Sequence, residues 1–215
     1  MTDLAALERR CEDFVATRTA ADPAHDLAHI KRVVTSTRYL SEKEGADVTV
    51  SVPAAWLHDC VQVRKDSPDR ARASTLAARE AVRFLRTVGY PEDLLPRVAH
   101  AVEAHSFSAG IPVRSLEAAV VQDADRLDAL GAIGVARCVL TGGALGSALY
   151  HPQDPFCRTR APDDAAYVVD HFYAKLFRLP AMMQTAAGRE EAERRVEAMR
   201  DFLAELARET GTALP

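Results

Sequence analysis

The chain has 215 residues, 48% of them hydrophobic and 27% charged, and a formal net charge of −4. That length and apolar content suit one well-cored domain, while the acidic balance and a 6% aromatic content argue against the basic grooves and stacking platforms of nucleic-acid-binding proteins. The cysteines Cys11, Cys60, Cys138 and Cys157 are widely spaced with no C-x-x-C pair, which excludes a zinc ribbon or a dense disulfide framework and fits free thiols in a reducing cytosol.

Apolar residues at helical spacing (Leu4, Leu7, Cys11, Phe14, Val15) predict a first helix closed by Asp22 and Pro23. The early residues are acidic and show no apolar core segment, so no signal peptide is expected, and with no run of roughly 18 apolar residues a cytoplasmic protein without a membrane partner is expected. A second helix spans about Leu27 to Glu44 and stops at Gly45. A third starts near Ser51-Val52-Pro53, with Ser51 as cap and Pro53 in the first turn, and runs on to His58-Asp59. A polar loop from Val63 to Arg70 precedes a helix from about Arg70 to Val88. Another spans about Glu92 to His105, followed by a Ser106–Pro112 loop. Ser115 caps a helix reaching about Leu130, Gly131 interrupts it, and a short helix spans Ile133 to Leu140. Thr141 to Asp164 is rich in Gly and Pro and is expected to be irregular, as functional loops often are. Helices from about Asp163 to Leu179 and Arg189 to Glu209 complete an all-α, single-domain chain, residues 1–215.

The chemistry concentrates where polar groups interrupt apolar helices. Ala54-Ala55-Trp56-Leu57-His58-Asp59-Cys60-Val61 is apolar all round except at His58 and Asp59, and such a helix is buried. Burying both groups without partners would cost several kcal/mol, a penalty that a bound cation removes. Neighbours on a helix diverge by about 100°, so both reach one ion only near a helix end. A structural His-Asp pair is the other reading of this dipeptide. His25 and His29 share a face if their helix starts that early. Asp123, Asp125 and Asp128 interrupt another apolar helix; Asp125 lies on the face of Val121, and each is otherwise a cap or a salt-bridged carboxylate with Arg126 available as partner.

The pattern H-D-x-x-H-x-x-R-V at 25–33, L-H-D at 57–59 and a later helical aspartate resembles the HD-domain superfamily of metal-dependent phosphohydrolases. L-H-D-C-V-x-V-x-K-x-S-P-x-R-x-x-A-S, H-S-F-S-A-G, D-A-D-R-L-D-A-L-G-A-I-G-V-A-R and H-F-Y-x-K-L look like one bacterial branch of it, and the likeness covers roughly residues 20 to 210. It implies an all-helical HD-domain fold, with a metal-binding core over about 20–130 that C-terminal helices over about 163–210 complete. It also implies one divalent metal on His29, His58, Asp59 and Asp125. His25 is then a neighbour of the site, and Asp26 either supports a ligand or caps a helix. Such ligands suit Mn, Fe, Co or Ni, and Mg less well because it prefers oxygen and water.

Members with two metals carry extra histidines, for which His100 and His105 are candidates. Five helical positions set these about 140° apart, so a binuclear arrangement requires His105 to leave its helix. His105 is otherwise a proton donor to a leaving oxygen, or a helix C-terminal histidine favoured by the macrodipole. Lys65 and Arg70 are candidates for holding phosphates or are solvated loop charges; Lys65 joins His105 and Asp59 in the candidate catalytic set. His171 and Lys175 share a helical face and are candidate substrate-binding residues. Tyr150, His151 and Arg158 are candidates to cover a base or sugar.

The expected activity is hydrolysis of a phosphate ester or anhydride in a nucleotide-like small molecule, with pyrophosphate release from a nucleoside triphosphate or phosphate release from a monophosphate both open. The alternative is a non-catalytic nucleotide or metal sensor on the same fold. A homodimer is compatible with the Leu- and Ala-rich helices.

Overall fold

The structure, a computed structural model, describes residues 3–18, 26–61, 63, 72–106 and 109–213. These residues are helical, apart from connections and one isolated β-bridge. They form two compact units, residues up to Asp125 and residues from Arg126 onward.

The first unit is arranged around one apolar helix. α1 (Leu4–Ala16), α2 (Leu27–Glu44), α4 (Ala73–Thr87) and α5 (Leu95–Ala104) all pack on α3 (Val48–Leu57). Every residue of α3 from Val50 to Leu57 is buried, as expected of a helix without a polar face. Its start differs from the sequence expectation. Asp47 is the cap, accepting the Thr49 N–H at 3.0 Å and the Thr49 hydroxyl at 2.6 Å, so Ser51 and Pro53 lie inside the helix. Pro53 has no N–H to offer the Thr49 carbonyl four residues back. That carbonyl instead accepts the Tyr90 hydroxyl at 2.6 Å. Ser51 turns its hydroxyl to Ser41 of α2, 2.8 Å away. α3 ends at Leu57, which leaves His58 and Asp59 in the turn beyond it.

α2 begins and ends where its sequence indicates. Gly45 takes φ 75° and returns its N–H to the Ser41 carbonyl, a left-handed stop that glycine makes without steric cost. α5 begins at Leu95 rather than Glu92, with Pro96 in its first turn and residues 92–94 in a preceding turn. α6 (Leu116–Leu127) is capped by Ser115, whose hydroxyl accepts the Ala118 N–H at 3.2 Å, and it stops short of the expected Leu130.

In the second unit, α7 (Gly131–Leu145) packs on α9 (Ala186–Thr210), which buries Ala192, Val196, Met199, Leu203 and Ala207 along one face. Arg195 of α9 donates to the Leu127 carbonyl at 2.6 Å, closing the end of α6. α7 is longer than the expected Ile133–Leu140 segment. It continues through Gly142, where a close neighbour requires a glycine: a Cβ would sit 2.3 Å from Val168 Cγ2.

The helix expected from Asp163 to Leu179 is replaced by α8 (Asp170–Ala174) and two single 3₁₀ turns, Leu176–Arg178 and Pro180–Met182. Val168 and Val169 spend their N–H groups on the Ala148 and Leu149 carbonyls, at 2.9 and 3.0 Å, and so lie extended beside the start of the connection. Inside that connection Asp170, fully buried, accepts from Arg160 Nη2 at 2.7 Å and from the Asp163 N–H at 2.6 Å.

Asp154 organises the same connection. It accepts the Thr159 N–H at 2.8 Å and the Arg158 N–H at 2.9 Å, and these bonds hold its carboxyl down at about 2. Its folded value thus lies below the ordinary carboxylate value of about 3.9, so its contribution is complete above about pH 4 and is lost as pH falls toward 2. Asp154→Asn should therefore melt below wild type at pH 6, and the gap should close by pH 2. A gap constant over that range in thermal melts would contradict this role.

Candidate metal centre

Four local structures bring five polar side chains to one end of α3. Asp26 caps α2 by accepting the His29 N–H at 2.8 Å, so the helix starts just early enough to put His29 in its first turn. Asp26 is therefore a cap. His29 is 1% exposed, and its Nε2 lies 3.5 Å from Asp125 Oδ1. His58 caps the C-terminus of α3, is fully buried, and sets its Nε2 3.8 Å from the same Asp125 oxygen. Asp59, in the following turn, has Oδ2 3.6 Å from His58 Nε2. His105 caps the end of α5 and places Nε2 3.6 Å from Asp59 Oδ1.

These atoms form two overlapping sets, His29–His58–Asp125 and His58–Asp59–His105, each with its ligand atoms within 4.8 Å of one another. Separations of 3.5–3.8 Å are too long for hydrogen bonds. They approach the spacing of neighbouring donors around an ion with bonds of about 2.1 Å. The carboxylates are accessible, with side-chain exposures of 26% for Asp59 and 30% for Asp125, so the cluster is closed by histidines on one side and open on the other.

The backbone fixes which nitrogen faces the cluster. His58 Nδ1 lies 2.7 Å from the Ala55 carbonyl and His105 Nδ1 lies 2.6 Å from the Val102 carbonyl, three residues back in each case. A carbonyl only accepts, so both Nδ1 atoms carry hydrogen and both Nε2 atoms offer a lone pair to the cluster, as metal-binding imidazoles do. His58 Nε2 is buried and has no hydrogen-bond partner among the described residues. Burial pushes the His58 imidazole below its ordinary pKa, which keeps it neutral. Burial also opposes charge on His105, but the nearby negative charges of Asp59 and Asp125 outweigh it and raise its pKa. Two carboxylates, a buried imidazole lone pair without a partner and two further inward imidazoles make a donor set that fits a divalent cation.

Gln122 of α6 donates to the Ala104 carbonyl at 2.6 Å, tying α6 to the end of α5 beside His105. The sequence carried no signal for this tie, because a lone glutamine on an apolar helix has many possible partners. His100 Nε2 accepts the Arg114 N–H at 3.0 Å, a bond at the approach to α6, and His100 belongs to neither set. Asp128 bonds Arg137 at 2.5 Å, and Arg126 donates to the Met182 carbonyl.

His25, Lys65 and Arg70 lie outside the described residues. His171 and Lys175 belong to the second unit; His171 Nδ1 is 2.8 Å from Asp164 Oδ2, and Lys175 follows the last residue of α8. His151 accepts the N–H groups of Gln153 and Asp154 on Nδ1, at 3.2 and 3.1 Å, and so shapes its own loop.

Residues 26–130 match the HD domain family. YpgQ of Bacillus subtilis (strain 168), an uncharacterized protein, is 36% identical over 193 residues, covering 87% of this chain and 85% of its own length. The crystal structure of B. subtilis YpgQ in complex with ADP is similar at a TM-score of 0.73 and 35% identity, covering 94% of this chain and 96% of that one. An HD-superfamily hydrolase from Bacillus thuringiensis is similar at a TM-score of 0.75 and 32% identity, covering 99% and 100%.

Proposed function

We propose, from the premise that the chain belongs to the HD-domain family, that it is a divalent-metal-dependent phosphohydrolase acting on a nucleotide or a nucleotide-like small molecule. The observation that carries this reading is His58 Nε2, a buried lone pair aimed between the carboxylates of Asp59 and Asp125. The ADP complex of the related YpgQ supports the nucleotide part. His29, His58, Asp59 and Asp125 would hold the ion. When bound, a divalent ion supplies Lewis acidity and neutralises charge that builds on a phosphoryl group.

The protein's own groups do the rest. The Val102 carbonyl holds His105 by Nδ1, so that any proton this ring gains or gives is at Nε2, beside Asp59 Oδ1. A protonated Nε2 there donates toward a leaving oxygen, while the neutral ring accepts a proton from an attacking water. Asp59 thus has two tasks: one oxygen faces His58 and the ion position, and the other orients His105. Lys65 and Arg70, close after the metal-binding pair in sequence, are the cations we assign to the phosphates.

The test is product analysis. Metal-free protein is loaded with Mn, Fe, Co, Ni, Mg or Zn and offered nucleoside mono-, di- and triphosphates, with phosphate and pyrophosphate measured separately. Turnover with at least one transition metal and none after chelation is expected. Tight nucleotide binding without product under every metal would replace the enzyme with a sensor.

A further inference from the structure

α6 buries an amide that the metal-binding set does not use. Gln122 is 4% exposed, and the two ends of its amide have unlike surroundings. A carbonyl only accepts, so the atom 2.6 Å from the Ala104 carbonyl is the amide nitrogen, and Oε1 has no partner among the described residues. An amide oxygen left buried and unpaired opposes folding, whereas a methionine would fill the same place without that cost. Packing alone therefore does not explain a glutamine here; its one bond does.

Ala104 is the last residue of α5, and its carbonyl is among the four that a helix leaves without an internal donor. Side chains take two of those four: the His105 ring holds the Val102 carbonyl at 2.6 Å, and Gln122 holds that of Ala104. The Ala104 carbonyl and the His105 N–H share one peptide plane. Gln122 fixes that plane, and with it the direction in which His105 leaves the backbone toward Asp59, 3.6 Å away. Gln122 also lies three residues before Asp125, so the two share a face of α6. That face carries Asp125 into one donor set and grips the peptide that carries His105 into the other. A second polar contact between α5 and α6, Arg97 to Glu117 at 2.9 Å, lies near the start of both helices, and Arg97 is 43% exposed there, so it holds the far end only weakly.

We propose that Gln122 is a positioning residue: its amide locks His105 in place relative to Asp125, so that the two donor sets act as one site. Without the lock, His29, His58, Asp59 and Asp125 are all still present to hold an ion, but His105 loses its register with the reacting group. Misplacement by about 1 Å costs about 100-fold in rate. This kinetic consequence rests on the phosphohydrolase reading; the structural one rests on geometry alone.

Gln122→Met, similar in volume and without the amide, tests the lock in the full chain. In metal-free protein labelled with nitrogen-15 histidine, the Nδ1–H protons of His58 and His105, each held by a carbonyl, are followed separately, with His105→Asn identifying the second. Gln122→Met should speed solvent exchange of the His105 proton by about 10-fold or more and leave that of His58 unchanged. Arg97→Ala, which cuts the contact at the far end of the same helices, should change neither. With Mn(II) and a nucleotide that the wild type hydrolyses, Gln122→Met should lower kcat about 10–100-fold, with KM and Mn(II) affinity within about 3-fold of wild type. A His105 signal that is absent from the wild type or unchanged in Gln122→Met overturns the proposal. So do equal changes at His58 and His105, the same change in Arg97→Ala, an unchanged kcat, or a loss of Mn(II) affinity in step with kcat. A wild type that turns over no nucleotide refutes the phosphohydrolase reading instead, and the ring signals then decide the lock by themselves.

Discussion

Asp125→Ala is expected to lower divalent-metal affinity far beyond the roughly 10–100-fold that loss of an outer partner costs, and to abolish turnover, while leaving helical content unchanged. Its Oδ1 faces both His29 and His58, so its removal takes the charged corner from the His29–His58–Asp125 set. The side chain is 30% exposed, so its loss opens the site to water and leaves no sealed cavity. Asp26→Ala is the informative contrast. It removes the α2 cap, at about 1 kcal/mol, yet takes no donor from the cluster, so metal affinity should change little. Calorimetric titration with Mn(II), alongside thermal melts, separates the two. Equal loss of affinity in both variants would mean that Asp125 acts through the fold.

The second large effect lies in the second unit. Asp170→Ala should destabilise the second unit by about 3–5 kcal/mol, because deletion of one partner leaves a guanidinium without its counter-charge. Asp170 has 0% exposure and receives Arg160 and the Asp163 N–H together, and the Arg160 side chain is only 20% exposed. For a chain of this size that corresponds to a melting shift on the order of 10 °C. Hydrogen exchange locates it: amides from Ala148 to Val169 should lose protection, whereas those of α3 should not. Uniform loss across both units would contradict a local role.

The helices around the cluster were legible because their apolar periodicity and their caps agree. Leu27–Glu44 ends at Gly45 as its sequence indicates, and Ser115 caps α6. His58 and Asp59 stood out because polar groups in an otherwise apolar helix need a reason to be buried. Two kinds of feature were hidden. One was any choice between equivalent local signals. Ser51-Val52-Pro53 reads as a helix start, but Tyr90, 41 residues from Thr49, satisfies the carbonyl that Pro53 leaves open and lets Asp47 cap the helix earlier. The other was pairing over distance. Nothing in residues 163–169 announces that Val168 and Val169 will spend their N–H groups on Ala148 and Leu149, and that pairing takes the place of a longer helix.

His105 shows both sides of this. Its position at the end of α5 followed from the helical pattern, and its chemistry suggested a proton donor or a capping residue. Its approach to Asp59, with Nδ1 anchored on Val102, required the fold of α3 against α5. The Gln122–Ala104 bond that ties α6 to the same corner had no local signature at all.

On the account proposed above, the inward imidazoles and carboxylates form one centre for a divalent ion. Pulsed electron paramagnetic resonance of Mn(II) titrated into metal-free protein tests it most directly. A single saturable Mn(II) per chain is expected, with nitrogen-14 modulation from directly bound imidazole that weakens in His58→Ala. Mn(II) that never saturates, or that binds with oxygen donors alone and the same spectrum in His58→Ala, would contradict it.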